Sequence, residues 1–132
     1  QLPPELRAPA ELALARRLDV SVAGAAGSLD LADYAEAVAV SREARANGVT
    51  LDAPRARAAV DRLILGAVER TLLDASRLVE VQASLLLAAS LSMEPVVGRA
   101  QELVFEALAA AGDDEARRDE LVPLAQSLGL IV

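Results

Sequence analysis

The chain contains no cysteine, histidine, lysine or tryptophan, and tyrosine and phenylalanine occur once each. Without cysteine there is no disulfide framework, thiol nucleophile or thiolate metal site, and the redox compartment stays open. Without histidine, imidazole acid–base chemistry, Ser–His pairs and His–metal sites all fall away. Aromatic residues are 2% of the chain, too sparse to build an all-β core. Long apolar runs are also missing. The richest stretch, Val79 to Val97, is broken by Glu80, Gln82, Ser84, Ser90, Ser92 and Glu94, so it reads as a helix buried in protein rather than in lipid.

The start, Gln1-Leu2-Pro3-Pro4, has neither an initiator Met nor the basic-then-apolar layout of a signal peptide. It suggests a piece excised from a longer polypeptide, and the expected location is the cytoplasm.

What is present is aliphatic and acidic. Apolar residues make up 54% of 132, mostly Ala, Leu and Val, which suits thin helices in close approach. That length fits one domain over residues 1–132. All thirteen basic residues are arginines, against twenty carboxylates, giving a formal charge of −7 and a pI near 4.6. Such a balance opposes phosphate backbones and anionic membranes, so neither nucleic acid nor a membrane is expected as a partner.

Start and stop signals mark six helical segments. The first runs from about Pro4 to Leu18, with a loop over Asp19–Ser28. The second starts near the cap Asp30 and stops at Asn47-Gly48. Asp52 caps a third, with Pro54 in its first turn, continuing to about Leu73. Asp74 caps a fourth, apolar nearly all round at Leu85, Leu86, Leu87 and Leu91, and so expected to be the most central. Pro95 opens a fifth, closed by Gly112. Asp113 or Asp114 opens a sixth, disturbed at Pro123 and ending near Gly129. Gly66 and Gly98 fall inside helical patterns, where close backbone approach would offset their cost. The short connections favour antiparallel neighbours. The expected fold is all-α, a bundle of five to six antiparallel helices.

Candidate chemistry is thin. Asp113, Asp114, Glu115, Asp119 and Glu120 cluster at the start of the sixth helix. They lack the Gly-punctuated spacing of a calcium loop and read as a solvated, dipole-complementing helix start. Asp30, Asp33 and Glu36 read as a solvent-facing edge. Arg55, Arg57 and Arg62 could face an anionic partner, although pairing with carboxylates on adjacent turns is the ordinary outcome. Ala23-Gly24-Ala25-Ala26-Gly27 is not a phosphate loop, having no following Lys. No catalytic, cofactor-binding or metal residue is assigned. Gln101 could hydrogen-bond a neighbouring backbone, hold an interface, or simply be exposed. Leu85 and Leu86 are the candidate apolar face for a homodimer. A ligand pocket inside the bundle is disfavoured by the shortage of aromatic and polar lining residues.

Three stretches carry a family resemblance: Pro3-Pro4-Glu5-Leu6-Arg7 leading into an apolar helix, Asn47-Gly48-Val49-Thr50-Leu51-Asp52, and Arg99-Ala100-Gln101-Glu102-Leu103-Val104-Phe105. Their order resembles the C-terminal helical domain, of undefined function, that follows the catalytic barrel in some bacterial family-57-like glycoside hydrolases. The chain departs from that pattern in having Val96 and Val97 where an aromatic residue is expected. The resemblance implies a non-catalytic accessory domain of an α-glucan-acting enzyme, with the catalytic carboxylates in the barrel and none here. The implied partner is that catalytic domain; the alternative is a freestanding homodimerisation module.

Overall fold

The computed structural model describes residues 3–131, so Gln1 and Leu2 lie outside the described residues. Among those residues the fold is all-α, as expected, with six α-helices and no strand. They are α1 (Pro4–Gly24), α2 (Ala35–Ala46), α3 (Pro54–Leu73), α4 (Leu78–Ser90), α5 (Gly98–Ala111) and α6 (Glu115–Ser127). Among the described residues no helix is long and apolar enough to cross a membrane.

The chain divides into two compact units interleaved in sequence. The first takes the residues up to Val60 and Leu87–Glu94; the second takes Asp61–Leu86 and the residues from Pro95 onward. In the first unit α1 packs on α2, and the buried side chains include Leu14, Leu18, Val22, Val40, Val49 and Leu91. In the second α5 packs on α6, with Ile64, Val68, Val81, Val104, Leu121 and Leu124 buried. The α5–α6 connection is so short that the two helices must reverse direction.

Several helix ends differ from the sequence reading, each for a physical reason. Helix α1 runs past Leu18 to Gly24 because Val22 continues the buried row of Leu14 and Leu18, and that burial outweighs the low helix propensity of a β-branched residue. Asp30 and Asp74 do accept backbone N–H groups, from Ala32 and Ser76. Each opens a short 3-10 turn, Leu31–Tyr34 and Ala75–Arg77, before the α-helix proper. Pro95 does not open α5. The helix starts at Gly98, after the Val96 N–H has been captured by the Asp61 carboxylate at 3.0 Å.

Asp114 rather than Asp113 caps α6, accepting from the Arg117 N–H at 3.2 Å. Pro123 sits inside α6 without ending it, at an exposed position of the helix. Helix α4 is not buried all round: Val81, Ser84, Leu87 and Ala88 are buried, while Val79 and Leu86 are 64% and 57% exposed. Nor do close backbone contacts explain the two helical glycines. A Cβ at Gly98 would meet open space, and one at Gly66 would meet only the tip of Arg70.

The cap of α3 is the most informative difference. Asp52 is exposed, and the bond expected of it is made by Asp19 of α1. Asp19 accepts the Ala56 N–H at 2.8 Å, one of the first N–H groups of α3 that lack an intrahelical partner. The α3 N-terminus is therefore tied to α1 within the first unit. Asp19→Ala should lower unfolding stability by about 1 kcal/mol. Asp52→Ala should change it by no more than about 0.5 kcal/mol. Denaturant midpoints of the two variants check this directly.

Candidate functional site

Gln101, Leu85 and Leu86 all lie in the second unit but do not share one role. The Gln101 amide donates from α5 to the Leu128 carbonyl at 2.7 Å. Leu128 follows the last turn of α6, where Gly129 takes a left-handed φ of 81° and the Leu130 N–H returns to the Ala125 carbonyl. Gln101 thus closes the end of α6 by bonding a neighbouring backbone, one of the outcomes open from the sequence. Leu85 is half-buried and Leu86 is exposed on α4.

A concavity of about 200 Å³ lies wholly within the first unit. Its apolar wall includes Leu18, Val49 and Leu91, which are 2%, 7% and 2% exposed. Its polar groups are Arg45 of α2, Thr50 of the α2–α3 connection, Arg57 of α3, and Ser41 and Ser92. No carboxylate lines it. The buried Ser41 hydroxyl is already committed, donating to the Leu91 carbonyl at the end of α4 at 2.7 Å.

The backbone at this rim is strained. Ser92 is the one described non-glycine residue with positive φ, at 57°. It follows the C-terminus of α4, and the Met93 N–H returns to the Ala88 carbonyl across it at 2.9 Å. Glycine is the usual residue at such a position, and a side chain there costs roughly 1–2 kcal/mol. Here the Ser92 hydroxyl accepts a hydrogen bond from the Arg45 guanidinium. Arg57 donates only a long bond, 3.4 Å, to the Glu94 carbonyl. Among the described residues, Arg45 and Arg57 have no carboxylate within 4.0 Å. The same holds for Arg55 and Arg62, so the carboxylate pairing expected along α3 is not made.

No family model, curated protein or solved structure matches this chain.

None of the perturbed titratable groups lines this concavity. Glu80 of α4 is held by Arg77 at 3.0 Å and by Arg70 of α3 at 2.8 Å, its side chain 17% exposed. The Arg77 hydrogen bond, aided by Arg70 and opposed by desolvation, holds its carboxyl below the ordinary glutamate range. Asp74 is lowered chiefly by its hydrogen bond from the Ser76 hydroxyl. Burial, then the nearby Asp33 charge, raises Tyr34; its hydroxyl lies 2.6 Å from the Ser28 carbonyl, fastening the α1–α2 connection. These are fastenings of the fold. Among the described residues no three carboxylates converge as metal ligands would, and Asp113, Asp114, Glu115, Asp119 and Glu120 are each exposed.

Two outcomes follow for the second unit. A glutamate with a depressed folded pKa stabilises above its unfolded pKa, and that contribution is lost as pH falls through the folded value. Glu80→Gln should therefore unfold at a lower temperature than the wild type at neutral pH, with the gap closing below about pH 4. Gln101→Ala should cost about 1 kcal/mol by leaving the Leu128 carbonyl without its donor. Thermal melts across pH test the first, and denaturant titration tests the second.

Proposed function

We infer that this chain is a non-catalytic helical interaction domain that docks through the exposed face of α4. The observation that carries this reading is the composition of that face. Val79, Gln82 and Leu86 stand exposed at i, i+3 and i+7, with half-buried Leu85 beside them, and none of the four is charged. This is the spacing of a helix–helix seam. Charged residues are a quarter of the chain, so an uncharged exposed stripe on an otherwise packed helix points to a partner surface. On the resemblance to family-57-like glycoside hydrolases, the partner would be a catalytic barrel acting on α-glucan in the same polypeptide. The cytoplasmic setting belongs to the same reading.

Gln82 favours a second reading, self-pairing. A side-chain amide is both donor and acceptor and can bond its own copy across a two-fold axis. One polar residue in such a seam also fixes register.

Sedimentation of the wild type and of Leu86→Glu separates these outcomes. Leu86 is exposed, so the substitution should leave the fold intact. A concentration-dependent mass near twice 13.7 kDa, returned to monomer by Leu86→Glu, assigns the face to a second copy. A wild-type monomer, together with protection of α4 amides only in a polypeptide that also carries the barrel, assigns it to the catalytic domain. If Leu86→Glu changes neither assembly nor amide protection, α4 is not a docking face and the reading falls.

A further inference from the structure

The interaction reading makes no use of the concavity in the first unit, and its chemistry is distinct. The geometry points to a binding site there for a small monocarboxylate with a short apolar tail. Volume sets the size. A cavity of 150 Å³ accommodates benzene, so about 200 Å³ takes a ligand of roughly eight non-hydrogen atoms. The lining sets the class. The half-buried Leu51 and Met93, together with the more deeply buried Leu18, Val49 and Leu91, make the apolar part of the lining, and Arg45 and Arg57 are its two cationic residues.

Guanidinium presents paired N–H donors that match the two oxygens of a carboxylate, and a few placed polar groups on an apolar wall are the usual make-up of a small-molecule site. In a chain of net charge −7, a concavity with two cations and no lining carboxylate is out of keeping with the composition. Neither cation meets a carboxylate among the described residues. Both still have N–H groups to give, since one bond to Ser92 and one long bond to the Glu94 carbonyl account for little of their capacity.

Ser92 supplies a separate observation. Its left-handed backbone would be easier for glycine, yet its hydroxyl is the group that holds Arg45 at the rim. Strain kept beside an arginine that lines a concavity is the pattern of a pre-set binding group. The phenyl-poor composition does not weigh against such a ligand, because aliphatic carbons need only aliphatic walls.

The test is a two-dimensional amide NMR titration of the full chain at neutral pH with hexanoate, and in parallel with 1-hexanol and inorganic phosphate. Saturable shifts at Val49–Leu51 and Leu91–Met93 are expected with hexanoate, with at least tenfold weaker binding of 1-hexanol and of phosphate. Arg45→Gln and Arg57→Gln, both at exposed positions, should each weaken hexanoate about tenfold while leaving the thermal midpoint unchanged. Equal binding of phosphate would overturn the apolar half of the assignment, and equal binding of 1-hexanol the carboxylate half. Absence of saturable shifts, or full affinity in both arginine variants, would overturn the site. The Leu86→Glu chain should bind hexanoate as the wild type does, so failure of the docking face and failure of this site are separable.

Discussion

Every α-helix ends with carbonyls that have no donor within the helix, and begins with N–H groups that have no acceptor. Here many of those groups are answered by a side chain from a different helix of the same unit. In the first unit Ser41 of α2 donates to Leu91 at the end of α4, and Asp19 of α1 accepts from Ala56 at the start of α3. In the second, Gln101 of α5 bonds Leu128 after α6, Arg117 of α6 bonds Leu72 at the end of α3, and Arg118 reaches the Leu108 carbonyl near the end of α5. The mechanism follows from composition. A core of Ala, Val and Leu with almost no rings has few large shapes to fix how one helix lies on the next. Apolar burial drives the collapse but is non-directional. Hydrogen bonds at helix ends are directional and admit a narrow range of placements.

The buried hydroxyls are likewise paired with carbonyls. Thr71 and Ser84 are fully buried, and each hydroxyl bonds a carbonyl of its own helix, Ala67 and Val81. Ser41 differs in reaching another helix, and so does more to fix position. Arg70 and Arg77 share Glu80 between α3, the 3-10 turn and α4, which makes that connection another polar fastening.

The signals legible in the sequence were local ones. Asp30, Asp74 and Asp114 each start a helical segment, and Gly48 and Gly129 end α2 and the last turn after α6 with left-handed φ values of 66° and 81°. Cap chemistry involves residues two or three apart, so it can be read along the chain. What depended on distant residues could not. Asp52 had the right position to cap α3, but Asp19 lies thirty-seven positions from Ala56 and wins the N–H. Val22 falls within the loop expected over Asp19–Ser28, and it is helical because tertiary packing buries it. The concavity joins Arg45, Arg57 and Ser92 from three elements, and no spacing announces it. The sequence allows Arg57 to face an anion, but its lack of a carboxylate partner depends on residues distant along the chain. The interleaving of two units, with Leu87–Glu94 belonging to the first, is likewise a property of contacts alone.

Net charge alone does not rule out the anion site proposed for the concavity. A formal charge of −7 spread over the surface opposes a polyanion, which must approach many carboxylates at once. A small anion meets a different field. At physiological salt the screening length is about 8 Å, so exposed carboxylates farther away contribute little. In the proposed site the two arginines would act on a bound carboxylate at hydrogen-bond distance, a shorter range than that of the scattered carboxylates. The proposed site therefore depends on local arrangement rather than on the average, and the acidic composition of the chain does not contradict it.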